Sequence, residues 1–445
     1  MSKKVFIETH GCQMNVDDSL RLLRSLAPLG YSSTTHAADA DLILINTCSV
    51  REKASHKAYS AVGRYYSYKK KKPGTLLGIA GCQAQADGKD LLQRFHYLDF
   101  VLGPDQVGSL PELVQKLESK KKQVNQTARI QPADFRFVSL VPEAQETKAS
   151  AYVTIMKGCD NFCSFCIVPF VRGREVSRSS TEIIEEVKRL VDQGVQEVTL
   201  LGQNVNSYGT KQQNKESREL TFAELLYQIS RQTALKRLRF TTSHPKDIQQ
   251  DLTFAFRDIP ILAKHLHLPV QSGSNAILQK MYRTYTREEY LEIVYQLKSV
   301  CPEVALSTDI IVGFPGESEE YFGETMKLLE EVRFDFSYSF HYSPRPHTTA
   351  RRYFEDDVPL KVKEERLKRL QKRQLEISQE IHESCVAKEF DVLVEGPSKL
   401  GGSLQGRNSQ NRLIHFESAD SCMGEFVRVK ITQASQSALI GEKVS

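Results

Sequence analysis

Short apolar runs alternate with amphipathic stretches along the first third of the chain. Residues 4–9, 42–46 and 75–80 read as short buried strands, and residues 16–28 and 50–68 carry helical periodicity. That alternation predicts a parallel sheet with helices on both faces. From about residue 111 to 150 the pattern dissolves into Lys, Gln and Glu with Pro132 and Pro142, which reads as a linker. The alternation then resumes. Helix 180–193 has Glu182 in its first turn and leads to strand 197–201; helix 221–232 leads to strand 237–241. Strands at 265–269, 306–313 and 334–340 follow. With the strand ahead of Cys159 this makes six βα-type units, a partial barrel rather than the full eight. A long helix, 358–383, precedes three alternating segments at 390–395, 413–416 and 425–431 separated by Gly and Ser, the pattern of a small β-barrel of about 60 residues. The expected class is α/β: an N-terminal parallel-sheet α/β domain, a central partial (β/α) barrel and a C-terminal small β-barrel.

Composition narrows this little. The 445 residues are 40% hydrophobic and 26% charged, ordinary for a soluble protein of about three domains. No apolar run approaches a membrane span, and Met1-Ser2-Lys3-Lys4 enters a strand-like run without a secretory signal. The expectation is a cytoplasmic protein with no membrane partner, its nine cysteines reduced or metal-bound. Residues 361–373 hold seven basic side chains against Glu364 and Glu365, an excess as large as the chain's net +5, and residues 69–72 form a second basic cluster. Such runs are solvated helix faces more often than phosphate contacts.

The cysteines change the picture. Lys157-Gly158-Cys159-Asp160-Asn161-Phe162-Cys163-Ser164-Phe165-Cys166 places three thiols at spacings of four and three. Zinc favours Cys-x2-Cys pairs arriving two at a time, and only Cys163 and Cys166 fit. Iron–sulfur clusters normally take four thiolates, so three would leave one iron open to another ligand. Cys12, Cys48 and Cys82 each follow the end of an expected strand, the edge where open α/β sheets bind ligands; Gly11 and Gly81 precede two of them, giving tight turns. They read as a second metal site, with three unrelated core thiols as the alternative. Cys301, Cys385 and Cys422 fit no cluster pattern and read as inert thiols; His244, His265 and His267 suit no zinc spacing and read as barrel-mouth or core residues. A basic, amide-rich loop at 406–412 suits phosphates and base edges. The chain shows no catalytic triad, paired carboxylates or phosphate loop.

The spacing at 159–166 resembles the signature of the radical S-adenosylmethionine superfamily, and nearly the whole chain resembles the MiaB-type tRNA methylthiotransferases. The runs that carry this are Gly11-Cys12-Gln13-Met14-Asn15, Asn46-Thr47-Cys48-Ser49-Val50-Arg51-Glu52-Lys53-Ala54, residues 157–178, Leu201-Gly202-Gln203-Asn204-Val205-Asn206, and residues 308–317. Residues 406–416 resemble the motif of the family's RNA-binding TRAM barrel. The resemblance implies domains at 1–118, 145–378 (the radical core) and 379–445, with a linker at 119–144. It implies two 4Fe-4S clusters and S-adenosylmethionine as cofactors. Cys159, Cys163 and Cys166 would hold the radical-generating cluster, and Cys12, Cys48 and Cys82 an auxiliary cluster whose open iron carries sulfur. One S-adenosylmethionine would methylate that sulfur, and a second would yield the radical that takes hydrogen from carbon 2 of an isopentenyl-adenosine beside the tRNA anticodon. An aromatic C–H is not acidic enough for a side-chain base, which agrees with the absence of acid–base machinery. Phe165 matches a position where an aromatic ring lies against the cofactor's adenine. Gln203, Asn204 and Glu317 are expected to contact S-adenosylmethionine or substrate, and Arg407 and Arg412 the RNA. An electron donor of flavodoxin or ferredoxin type and a sulfur source complete the implied partners. Related enzymes modify a ribosomal protein side chain or a threonylcarbamoyl-adenosine; Gln13-Met14-Asn15 and Val50-Arg51-Glu52-Lys53-Ala54 resemble the isopentenyl-adenosine branch instead. His10 stands where the family usually has Tyr, a departure that touches no ligand.

Overall fold

Six parallel strands build the first layer of the computed structural model, which describes residues 3–50, 52–119, 122–138, 149–210, 219–398, 401–418 and 422–444. These are β1 (Lys3–His10), β2 (Tyr31–Ser33), β3 (Leu42–Thr47), β4 (Leu76–Gly81), β5 (Phe100–Leu102) and β6 (Val124–Gln126), in the order β2-β1-β3-β4-β5-β6. Helices α1 (Gln13–Ser25), α2 (Glu52–Lys71), α3 (Cys82–Arg94) and α4 (Leu110–Ser119) cover the sheet. Leu42 and Leu44 pack into one core with Leu22, Phe100 and Leu113, while Ile43 and Ile45 pack into another with Ala58, Val62 and Leu91. Alternate side chains of one strand feed opposite layers, which is why the strand reads as a continuous apolar run. The stretch expected as linker carries regular elements: α4 occupies its start, and β6 pairs with β5 through Phe100↔Val124 to finish the sheet. Residues 120–121 and 139–148 of that stretch, and Arg51, lie outside the described residues.

The central domain has the six parallel strands anticipated. After β7 (Ser150–Thr154), a short pairing of β8 (Met156–Lys157) with β9 (Val176–Ser177) encloses α5 (Val168–Val171). Then come α6 (Ser180–Asp192), β10 (Glu197–Leu201), α7 (Phe222–Gln232), β11 (Arg237–Thr241), α8 (Gln250–Asp258), β12 (His265–His267), α9 (Asn275–Lys280) and α10 (Arg287–Val300). β13 (Ala305–Val312), α11 (Glu319–Val332), β14 (Phe336–His341), α12 (Thr349–Tyr353) and α13 (Leu360–Glu383) complete it. The strands run β7-β10-β11 and β12-β13-β14, joined by a parallel bridge between Leu238 and Leu262. Local sequence sets the helix starts: Thr221 with Glu224 and Thr286 with Glu289 form reciprocal caps. Val198, Leu200, Leu238, Phe240, Leu306 and Ile310 join the core under the helices. By strand alternation, Thr199, Arg239, His267, Ser307, Asp309 and Tyr338 line the opposite, inner face.

The C-terminal domain is a closed barrel of β15 (Glu389–Pro397), β16 (Leu404–Arg407), β17 (Leu413–Glu417), β18 (Phe426–Ala434) and β19 (Leu439–Lys443) around Val392, Ile414, Phe416, Val429 and Leu439. Its loop at 406–412 sits against the N-terminal ends of the central strands. Arg239 donates to the carbonyls of Asn408 (2.5 Å) and Ser409 (3.0 Å), Arg237 to those of Arg407 (2.8 Å) and Asp391 (3.0 Å), and the Ser409 hydroxyl accepts from the Lys264 amide (2.9 Å). The basic run on α13 is largely paired within the chain: Arg366 and Arg369 with Glu319, Arg373 with Glu330, and Lys363 with Asp356. No helix among the described residues is long and apolar enough to cross a membrane.

Candidate metal centre

Adjacent strands bring Cys12, Cys48 and Cys82 together. β3 pairs with β1 on one side and β4 on the other, with His10↔Thr47↔Gly81 in register. Each cysteine lies one or two residues beyond that common line. Cys12 caps α1, where backbone N–H groups of Asn15 and Met14 favour its thiolate, whereas Cys82 is the first residue of α3 and burial pushes its thiol up. Only glycine fits the turns: a Cβ on Gly11 would come within 2.8 Å of the Cys48 Cβ, and one on Gly81 within 2.3 Å of the Asn46 Oδ1. Asn15 Oδ1 accepts from the Cys12 amide (3.3 Å) and thiol (3.4 Å), and Asn46 in turn holds Asn15, donating to its carbonyl at 2.8 Å. The hydrogen bond between Cys48 and Cys12 holds Cys12 below the ordinary thiol range and pushes Cys48 up. Arg172 of the central domain donates to Cys82 Sγ (3.2 Å) and pairs with buried Asp18 (2.6 Å).

The second triad lies in one loop between β8 and α5. Gly158, at φ +78°, starts it; a Cβ there would sit 2.0 Å from the Arg174 carbonyl oxygen. Cys166 N–H donates to the Cys163 carbonyl (3.0 Å), Ser164 N–H to the Met281 carbonyl (2.9 Å), and Arg283 to Cys163 Sγ (3.4 Å). Burial pushes the Cys159 thiol up to about 11 and that of Cys166 higher still. Thiols this reluctant to ionise become ligands only where a metal supplies the positive charge. Among the described residues no three His, Cys, Asp or Glu side chains gather closely enough for a single ion; thiolates that each meet a different iron of a cluster need not. The two triads are linked by packing: Cys82 lies against Ile167, which directly follows Cys166, and against Val171.

Around the second triad, strand ends carry buried polar atoms with no protein partner: Asn204 Oδ1, both amide atoms of Asn206, the hydroxyls of Ser243 and Ser274, and His244 Nε2. His244 Nδ1 accepts from the Lys246 amide (3.3 Å), so Nε2 carries the ring proton. Unsatisfied buried groups are costly, and so many at one mouth form a donor and acceptor set that fits the polar ends of S-adenosylmethionine. Asn204 is one of this set, its amide held by Asp247 (2.7 Å). Phe165 is half-buried and edge-on to Phe314 at 6.4 Å. Gln203 has a different job: its side-chain oxygen accepts from the Gly158 amide and braces the cysteine loop. Glu317 is corrected outright. It is 4% exposed, accepts from Gly313 N–H (2.8 Å) and Arg366 (2.9 Å), and ties the turn before α11 to α13 instead of presenting a carboxylate at the rim. Arg412 is likewise corrected, because its guanidinium is committed to Asp335 (2.5 and 2.9 Å), docking the terminal barrel. Arg407 pairs with Glu395 (3.4 Å) and donates to the Asn411 carbonyl (2.9 Å). Arg172 and Arg283, which touch the sulfurs, were not anticipated: an isolated arginine in a basic chain carries no signal of its partner. Cys301, Cys385 and Cys422 are buried in hydrophobic clusters.

Comparison with known proteins matches residues 4–103 to the family described as Uncharacterized protein family UPF0004, 153–329 to the Radical SAM superfamily and 383–444 to the TRAM domain. A tRNA-2-methylthio-N(6)-dimethylallyladenosine synthase of Myxococcus xanthus is 46% identical over 446 residues, covering 100% of this chain and 94% of its own length. The protein of that name from Geotalea uraniireducens is 47% identical, with 99% and 98% covered. Among solved structures, the radical S-adenosylmethionine methyltransferase TsrM from Kitasatospora setae has a TM-score of 0.57 at 13% identity, covering 87% of this chain and 76% of its own; it shares the fold.

Proposed function

The chain belongs to the family of tRNA-2-methylthio-N(6)-dimethylallyladenosine synthases, and from that membership we propose how its own residues divide the work. The enzyme is a tRNA methylthiotransferase of the radical S-adenosylmethionine class, acting on carbon 2 of the dimethylallyl (isopentenyl) adenosine beside the anticodon. Its cofactors are two four-iron clusters and S-adenosylmethionine, which when bound supply the radical, the methyl group and the sulfur. Cys159, Cys163 and Cys166 hold the cluster that works with S-adenosylmethionine, and Cys12, Cys48 and Cys82 hold the other. Asn204, Asn206, Ser243, His244 and Ser274 orient the polar ends of S-adenosylmethionine, while Phe165 borders the mouth. Arg283 and Arg172 each place a positive charge against one triad, offsetting the burial of sulfur charge. Ile167, Val171 and Phe170 form an apolar layer beside Cys82 that excludes water between the two centres. The terminal barrel serves the RNA, a flavodoxin- or ferredoxin-like protein brings electrons, a separate donor replenishes sulfur, and the enzyme works in the cytoplasm.

One observation supports this reading: of two cysteine triads, one on neighbouring strand ends and one in a single loop, the first packs its Cys82 on Ile167, the residue that follows the last cysteine of the second. Iron and acid-labile sulfide on anaerobically reconstituted protein test it. About eight irons per chain should fall to about four when Cys159, Cys163 and Cys166 are all replaced by Ala, as two four-iron sites require. About four falling to none would remove the second site and the division of labour with it.

A further inference from the structure

The inner face of β14 is apolar and open. Phe336, Tyr338 and Phe340 alternate along it, exposed by 48%, 41% and 43%, while Ser337 between them is buried. β14 ends the order β12-β13-β14 among the described residues, and exposed aromatics on an edge strand invite aggregation unless something is meant to cover them. The register puts Phe336 beside Ser307, Tyr338 beside Asp309 and Phe340 beside Ile311. Phe336 and Tyr338 stack edge to face at 4.7 Å, and the His267 ring meets Tyr338 at 5.9 Å, its Nε2 3.5 Å from Asp309. Ile311 and Phe165 both pack on the cluster of Ile277, Met281 and Phe314, beside Cys166. The row thus runs from the open edge of the barrel to the cysteine loop.

Resting on the proposed function, we propose that this row seats the reacting nucleotide. Phe340 with Ile311 receives the N6-dimethylallyl group, and Tyr338, with His267 and Asp309 at its level, stacks against the adenine and meets its edge. A base taken out of an RNA loop exchanges stacking on its neighbours for stacking on aromatic side chains. An apolar five-carbon substituent needs an apolar wall beside that platform, and the upper end of the row supplies one. Phe340 is then a specificity-determining residue that separates prenylated from unmodified adenosine.

The test is binding of two anticodon-stem hairpins, one with dimethylallyl-adenosine and one with adenosine, to reconstituted full-length protein. The wild type should prefer the prenylated hairpin by about tenfold or more, the discrimination an apolar pocket gives. Phe340→Asn should bring the ratio of Kd values to about one, Phe340→Leu should keep most of it, and Tyr338→Ala should weaken both hairpins. Should Phe340→Asn melt below the wild type, Ile311→Asn repeats the test on the same wall. A preference kept in the Asn variants overturns the seat. So does a dimeric wild type that becomes monomeric in Phe340→Asn with its preference intact, since the row would then join two copies. A wild type that neither prefers nor modifies the prenylated hairpin instead overturns the proposed function.

Discussion

Arg172 and Arg283 each press a guanidinium against one sulfur of a different triad, Cys82 at 3.2 Å and Cys163 at 3.4 Å. Hydrogen bonds to cluster sulfurs raise reduction potentials. Arg283→Leu should therefore move the potential of the cluster proposed at 159–166 to more negative values in an EPR-monitored titration, and an unchanged potential would show that the contact is only structural. Arg172→Met leaves Asp18 buried without a partner and should cost about 3–5 kcal/mol, most of it recovered when Asp18→Asn is added; a denaturant-unfolding cycle measures the difference. His244 and His265 titrate against the fold. Burial, reinforced by Arg283 at His244 and Arg239 at His265, keeps both rings neutral and holds His244 down to about 2. Below the ordinary value of 6.5 the unfolded chain therefore takes up protons that the fold refuses. Their stabilisation is whole above that pH and is lost as pH falls, by about 1.4 kcal/mol per ring per unit. The melting midpoint should drop between pH 7.5 and 5.5, and less steeply in His244→Gln; equal drops would mean that His244 is not the source.

At the scale of elements, the loop at 406–412 acts as a strap. Its carbonyls accept from Arg237 and Arg239, and its last residue, Arg412, pairs with Asp335 ahead of β14. Arg412→Ala should cost about 3 kcal/mol by stranding Asp335 and should free the terminal barrel to limited proteolysis, with the salt slope of tRNA binding unchanged. A slope smaller by about one would mark Arg412 as a phosphate contact after all. The pairing of this residue shows what the chain alone does not disclose. Long apolar runs such as β3 and β4 were legible, whereas β2, β5 and β6, of three residues each, fall below any pattern. The triad at 159–166 was legible because its spacing is local, and the triad at 12, 48 and 82 because each cysteine follows a strand. Glu317 and Arg412 read as ligand contacts because a sequence displays charge and not its partner, which lies 49 residues away for Glu317 and 77 for Arg412. The same distance hid Arg172, 90 residues from Cys82.

For the whole molecule, the three domains are joined by buried polar contacts. Lys157 pairs with Asp105 (2.5 Å), the Thr154 hydroxyl donates to Asp17 (2.6 Å), and Arg172 bridges Asp18 and Cys82. The N-terminal sheet is thereby set against the loop that holds the second triad, while the terminal barrel closes the opposite end of the central strands. The alignment His10↔Thr47↔Gly81 has a consequence for how such a chain can change over evolution. Nearly any surface side chain nearby can be exchanged without moving a sulfur, but one extra residue between Thr47 and Cys48 would advance that thiol by about 3.3 Å and turn it toward the other side of the sheet. Residues gained or lost in the outer loops leave this alignment untouched, whereas a change in the interval from a strand to its cysteine moves the thiol itself. An alanine inserted there should abolish loading of one cluster with all six ligands still present.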